Sequence, residues 1–564
     1  MKLSPRPEVR VASYSASRAL VPGRRFRRAA ALVSHPAAAA FAATLVVAAA
    51  HPARAGAQAG ELPAGAERSP EAAAAFEAAS LLGAIAPLAP EAIWPGFRPD
   101  TLAVVLSVPE VGWLLTGWPG DPPEGFSAWG ALPGVAWRPY RHGRPAEENT
   151  VRIEERRWIF YRASGDRAED LGNLVHEAFH LLEGELRPAG RYPPGENSFR
   201  VVSYPEFDAA NEAGFGLEGR LLDAALRALP DTAAAAALAR EFVAVREARQ
   251  RRLDPDDALF EVRAELNEGV AQYAYVRALR LVAEGRAREA AAPAGEPGEA
   301  GAGRRAGGAG SGVRAQADLE AWASDAAAEI ASQRELLADL IGARGRSIRL
   351  RFYATGFAQG LLLDALMGGR WKDRVMDEGA ALQDLLAEAS GYRAQEATLV
   401  ERASARHPGV EAAATAAVES LSRDRMDRVE EALSGPGVRI DIDASALPDG
   451  DVGFCGIDPQ NLLQVGPSRL LHARWFRACG PGFEADMNAR VVHDRDEGTL
   501  ALVVPVDALR VSVDGAPLDA PAAGGSVERS GAVTIEAAGV SIRAERGTVI
   551  RSERHVRLAL APPG

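Results

Sequence analysis

The chain has 564 residues, 47% hydrophobic and 25% charged, a globular composition with room for two to four domains that excludes a wholly disordered protein. Its formal net charge is −12, but residues 1–55 carry nine Lys or Arg against one Glu, which leaves the remainder at −20. So acidic a body repels nucleic acid and anionic membrane surfaces at long range, and the sequence has no P-loop, dinucleotide fingerprint or basic aromatic patch, so no nucleic-acid partner is expected.

Arg24, Arg25, Arg27 and Arg28 precede an apolar stretch, Ala37 to Ala50, that is too short for an ordinary membrane span. Ala53-Arg54-Ala55 fits a small-x-small cleavage site. Residues 1–55 therefore read as a signal peptide for export to the periplasm or the exterior, and no other segment is apolar enough to span a bilayer. Residues 56–165 form a lead-in, with a helix at Pro70–Leu88 and a small sheet. Its strands are Leu102–Val108, Gly134–Tyr140 and Val151–Tyr161, rich in Val, Ile, Trp and Tyr. Trp137, Trp158 and Tyr161 read as core.

Helical spacing begins again at Leu171–Glu185, where Asp166 and Glu169 can form a capping box. Leu174, Val175, Ala178, Leu181 and Leu182 give this helix an apolar face. Beside that face runs a polar stripe of Asn173, His176, His180 and Glu183. His176-Glu177-Ala178-Phe179-His180 spells H-E-x-x-H. Histidines four apart lie one turn apart on one face, so both rings can reach one metal ion. Glu177, one position round the helix, can take a proton from a water and return it. Zinc is the expected ion: three protein ligands leave a fourth position for a water of lowered pKa.

Helices follow at Asp208–Leu229, Thr232–Gln250 and Asp256–Ala287, then a Gly/Ala/Pro/Glu-rich loop at 293–312 that reads as disordered. They resume at Gln316–Ile341, Ile348–Leu366, Glu378–Ala389 and Arg393–Leu433. Glu261, Glu265, Glu268 and Gln272 line one face of the third of these helices. A carboxylate from that segment is the best third ligand.

Asn267-Glu268-Gly269-x-Ala271-x-Tyr273 resembles the N-E-G-x-A-x-Y helix of gluzincin metallopeptidases, the aminopeptidase-like branch of the zincins. The resemblance implies that Glu268 is the third zinc ligand, with Glu265 and then Glu218 as the other choices. Tyr353-Ala354-Thr355-Gly356 ahead of Leu361-Leu362-Leu363 is similar to the family's Y-x-x-G and leucine-rich helix. It implies that the Tyr353 hydroxyl steadies the oxyanion of a tetrahedral intermediate. The chain departs from the family in two ways. Glu268 follows His180 by 88 residues, a longer separation than the family's, and no G-x-M-E-N stretch precedes His176. Gly195-Glu196-Asn197 lies after the motif and reads as a turn. Internal cleavage of peptides or proteins is therefore favoured over trimming of amino-terminal residues.

At Ser434-Gly435-Pro436-Gly437 the pattern changes to alternating strands: Val438–Ile442, Thr499–Val504, Leu509–Val513, Val533–Glu536, Val540–Ala544 and Thr548–Leu560. These read as a β-sandwich-like domain over 435–564. Its His472 and His493 read as surface residues. The only two cysteines, Cys455 and Cys479, are expected to form a disulfide worth about 3 kcal/mol in an oxidising compartment.

The whole predicts an α+β fold. A zincin-like catalytic core has a small N-terminal sheet (56–165) and a mostly helical body (166–434), and a C-terminal β domain follows. The expected function is an exported zinc peptidase acting on a peptide or protein substrate. The alternative is a non-catalytic binding or structural protein on the same scaffold, with recognition in the C-terminal domain.

Overall fold

The computed structural model describes residues 90–562 except 99–103, 109–111, 119, 129–134, 139–149, 154–155, 163, 165, 292–309, 342–347, 395–396, 448–452, 459–460, 467 and 522–523. The signal reading at 1–55, the helix at Pro70–Leu88 and all but the end of the loop at 293–312 lie outside the described residues. Residues 310–312 begin a helix.

The N-terminal sheet has six strands: β1 (Val104–Val108), β2 (Gly112–Thr116), β3 (Ser127–Ala128), β4 (Val135–Arg138), β5 (Thr150–Ile153) and β6 (Arg156–Arg162). Their order is β3-β4-β2-β1-β6-β5, and β1 runs parallel to β6 while every other pair is antiparallel. The single strand expected at Val151–Tyr161 is instead two strands of a hairpin, with Arg152 opposite Arg157. Its charged middle breaks the apolar alternation that a single strand would need. Period-two alternation splits the sheet's residues between two cores. Val104, Leu106, Leu114, Trp137, Ile159 and Tyr161 join the core of the helical body. Val105, Leu115, Ala136, Trp158 and Phe160 form a separate cluster with Phe126.

The body contains α1 (Arg167–Leu186), α2 (Ala209–Ala228), α3 (Thr232–Gln250), α4 (Pro255–Ala264), α5 (Val270–Ala291), α6 (Gly310–Ala338), α7 (Leu350–Met367), α8 (Arg370–Glu378), α9 (Leu382–Ser390), α10 (Ala397–Arg406) and α11 (Val410–Ser434). Two expected helices are broken. Arg393–Leu433 divides at His407-Pro408-Gly409, where proline cannot continue the ladder and Gly409 is left-handed (φ 86°). Asp256–Ala287 is interrupted by a turn of π-helix, Glu265–Gly269. No helix among the described residues is long and apolar enough to cross a membrane.

Thirteen strands follow: β7 (Val438–Asp443), β8 (Gly453–Ile457), β9 (Leu462–Gln464), β10 (Arg469–His472), β11 (Phe476–Gly480), β12 (Phe483–Met487), β13 (Val491–Asp494), β14 (Thr499–Val504), β15 (Arg510–Val513), β16 (Ala516–Pro517), β17 (Val527–Ala537), β18 (Val540–Arg551) and β19 (His555–Leu560). In place of the expected two-sheet sandwich they make one hydrogen-bonded sheet that curls almost into a barrel. β18 is long enough to pair along one edge with both β12 and β19, which joins the two arms. Cys455 on β8 and Cys479 on β11 form the expected disulfide, Cα to Cα 5.9 Å. The barrel meets the body along the short 3-10 helix Ser198–Val202: Gln464 Nε2 donates to the Val202 carbonyl at 3.4 Å, and Phe199 packs edge-on to Phe454.

His472 and His493 are corrected from surface to interior. Leu470 faces His493 and His472 faces Val491 across β10 and β13, so all four point to one side. That side is the barrel interior, where both imidazoles stack against Phe476.

Candidate metal centre

α1 is positioned from both ends. Asp166 caps it by accepting from the Ala168 and Glu169 N–H groups, and its own N–H donates to Ser164 Oγ. Tyr161 on β6 donates to Asp170 at 2.9 Å, tying the sheet to the first turn of the helix. Further along, Phe179 packs edge-on to Trp94 in an aromatic cluster with Tyr192 and Trp371. The apolar stripe is thereby buried, and the polar stripe turns toward α5 and α7.

The π turn supplies the third group. An extra residue in one turn shifts the side chains that follow it, and such turns recur at functional sites. Here it separates Glu265 from Glu268, which simple helical spacing places on one face. Glu265 turns to Arg246 (2.6 and 2.7 Å) and Thr355, and Glu261 turns to Arg249. Gln272 reaches Glu329 on α6. Glu218 lies between Arg246 and Arg249 in the same buried network as Glu265. Neither Glu218 nor Glu265 joins the histidines. Glu268 does.

His176 Nε2, His180 Nε2 and Glu268 Oε2 form a nearly equilateral triangle with sides of 3.2, 3.3 and 3.5 Å. Ligands of a tetrahedral ion at 2.0–2.1 Å lie about 3.3 Å apart, so the triangle has the dimensions of one face of such a tetrahedron. Glu268 Oε2 is buried and has no hydrogen-bond partner, whereas Oε1 accepts from Asn267 Nδ2 at 2.8 Å and from Arg349. The carboxylate thus keeps one oxygen free for an ion. His180 Nδ1 lies 3.2 Å from Glu183, which fixes the ring so that Nε2 presents its lone pair. Arg187 in turn holds Glu183 and Asn267. The set fits a metal ion. These three residues are the only group of its kind among the described residues.

The electrostatics agree. Burial acts to raise the Glu268 carboxyl, but Arg349 and the two imidazoles hold it well below the usual range. Burial acts to lower His180, but Glu268 and Glu183 raise it well above the ordinary histidine value.

Glu177 is buried on α1, one position past His176 and about 100° round the helix. Tyr353 is fully buried on α7, its ring parallel to the His176 imidazole at 5.8 Å, with its hydroxyl accepting from Arg349 at 3.4 Å. Burial and Glu268 push this phenol well above its ordinary value, so it stays a donor. Of the three, His180 is the one that reaches solvent, with 15% of its side chain exposed.

Sequence reasoning missed Glu183, Arg187, Arg349 and Glu196. Glu183 stood in the polar stripe three residues after His180, the spacing that lets a carboxylate reach a ring nitrogen. Glu196 was assigned to a turn. The fold brings it to Arg349, which also holds Glu268. No protein-family model, curated protein or solved structure matches the chain.

Proposed function

We propose that this protein is an exported zinc-dependent peptidase of gluzincin type. The observation that carries this reading is the triangle of His176, His180 and Glu268, whose sides match the edges of a tetrahedral zinc site with a fourth position left over. Zinc held there would supply a Lewis acid and a water of lowered pKa. Glu177 takes the proton of the attacking water and returns it to the leaving amine. Tyr353 donates its hydroxyl proton where negative charge develops on the carbonyl oxygen. Glu183 keeps the His180 ring in register through these steps. The disulfide between Cys455 and Cys479 supports export to an oxidising compartment, in line with the basic and apolar pattern of residues 1–55. The proposal extends to internal peptide bonds. No G-x-M-E-N stretch precedes His176, and the carboxylate of Glu196 is engaged by Arg349.

The test pairs metal content with turnover. Protein purified in zinc should hold close to one equivalent and cleave a peptide mixture. Glu177→Gln should keep the zinc and lose about 10²–10⁴ in rate, the usual contribution of a positioned acid–base group. Less than a tenth of an equivalent in the wild type, or full cleavage by Glu177→Gln, sinks the reading.

A further inference from the structure

We propose that Arg349 is a positioning residue that limits Glu268 to one metal-bound oxygen and aims the Tyr353 hydroxyl. This inference rests on the zinc-peptidase reading above.

Arg349 stands at the start of α7, and its guanidinium is buried between three partners. Nη2 donates to Glu268 Oε1, Nε donates to Glu196 Oε1, and Nη1 lies 3.4 Å from Tyr353 Oη. A guanidinium presents its donors in one plane and in fixed directions, so occupying three partners at once fixes all three relative to each other. Lysine offers a single point charge on a different stem and cannot reproduce that fork.

The consequence for Glu268 follows from which of its oxygens is engaged. Oε1 accepts from Arg349 and Asn267, while Oε2 accepts from nothing and faces both imidazoles. For the carboxylate to chelate an ion through both oxygens, Oε1 would have to give up a buried, charge-assisted hydrogen bond. Arg349 therefore favours one-oxygen ligation, which leaves the fourth coordination position open for water or substrate.

The consequence for Tyr353 is directional. Arg349 donates into the phenol oxygen, so the phenol's own proton points away from the guanidinium. The same residue thus orients a metal ligand and the donor for the oxyanion. Glu196 balances the arrangement. Its Oε1 accepts from Arg349 and from the Ser198 hydroxyl at 3.3 Å, while its Oε2 is buried without a hydrogen-bond partner. A guanidinium drawn from both sides is held centrally instead of collapsing onto Glu268.

The experiment uses the full chain loaded with Co²⁺ in place of zinc, because the visible band of Co²⁺ weakens sharply when four-coordination expands to five or six. Arg349→Met and Arg349→Lys are compared with wild type for the Co²⁺ band, for zinc affinity by chelator competition, and for thermal unfolding. Both variants should show a weaker band and a zinc dissociation constant raised about 10–100-fold, the usual effect of losing a group that orients a ligand. The unfolding temperature of the metal-free form controls for general damage. If Arg349→Met does not fold, Arg349→Lys decides alone. An unchanged band and unchanged affinity in a folded variant overturn this role for Arg349. A wild type that takes up neither Co²⁺ nor zinc overturns the peptidase reading instead, and this inference with it.

Discussion

Gly269 and Gly356 meet backbone to backbone. A methyl built on Gly269 would stand 2.5 Å from the Gly356 Cα, and one built on Gly356 would stand 2.7 Å from the Gly269 Cα and 2.8 Å from the Glu265 carbonyl. No side chain fits between the π turn and α7. Because Glu268 immediately precedes Gly269, and Tyr353 lies one turn before Gly356, this contact sets the distance between the third ligand and the phenol. Both glycines belong to the segments that resemble the gluzincin pattern, and close packing is a sufficient physical reason for them. Gly356→Ala should push α7 off the π turn, destabilise the fold by about 1–3 kcal/mol and weaken zinc binding. Denaturant unfolding with and without zinc measures both. Unchanged zinc affinity in that variant would uncouple the helix contact from the site.

The histidine pair was legible because H-E-x-x-H depends only on the rise and twist of one helix, and Asp166 marked where that helix starts. Glu268 was legible through its N-E-G triplet, but the reason Glu265 does not join the histidines was not. A periodicity argument assumes 3.6 residues per turn throughout, and the π turn at Glu265–Gly269 breaks that assumption at the one place where it mattered. Arg349 gave no signal, since its partners Glu196 and Glu268 lie 153 and 81 residues away in the chain. In the C-terminal domain the strands β7, β14 and β17 to β19 follow alternation. Strands β8 to β13 are only three to five residues long, too short for alternation to stand out, and β8, β10 and β12 also pair with strands that are not their chain neighbours. His472 and His493 were misplaced for that reason.

Removing the Tyr353 hydroxyl tests the second half of the mechanism. Tyr353→Phe keeps the ring stacked on His176 and removes the hydroxyl, which is both the donor and the acceptor of the Arg349 Nη1 bond. Loss of one oxyanion donor typically costs about 10²–10³ in kcat, or roughly 3–4 kcal/mol of transition-state stabilisation. Zinc content should stay at the wild-type level. Steady-state kinetics on a peptide substrate decide it: turnover within twofold of wild type would leave Tyr353 as a packing residue.

The buried histidines of the barrel predict loss of stability in acid. Burial, together with Arg495 and against a smaller opposing effect of Asp494, lowers His493 to about 4. Burial and the neighbouring His493 lower His472 well below its ordinary value. All four ring nitrogens lack hydrogen-bond partners, so nothing in the interior compensates an added proton. An unfolded histidine titrates near 6.5, so between about 6.5 and 4 the unfolded chain binds protons that the folded barrel refuses. The stability is fully present above that window and falls as pH drops through it, by about 3 kcal/mol for His493 alone. Denaturant unfolding at pH 7.5 and 4.5 should show His493→Phe losing less stability between the two than wild type. An equal loss in both proteins would assign the acid sensitivity elsewhere.

Zinc uptake should release a proton near neutral pH. Glu268 and Glu183 outweigh burial and raise His180 well above the ordinary histidine value, so its imidazole holds a proton to higher pH than a free histidine does. A metal ion needs the bare Nε2, and must displace that proton. The sign follows directly. Apparent zinc affinity rises with pH while His180 is protonated, by about tenfold per unit for one displaced proton, and levels off above its raised pKa. A histidine with an ordinary pKa near 6.5 would already have levelled off at pH 7.5. Calorimetric titration with zinc at pH 7.5, in two buffers of different ionisation enthalpy, counts the protons. About one proton per zinc is expected in the wild type. Glu183→Gln should release fewer, because one of the two carboxylates holding that proton is gone. Zero release in the wild type would mean that the charge of Glu268 is balanced by Arg349 alone, and that His180 waits for the ion already neutral.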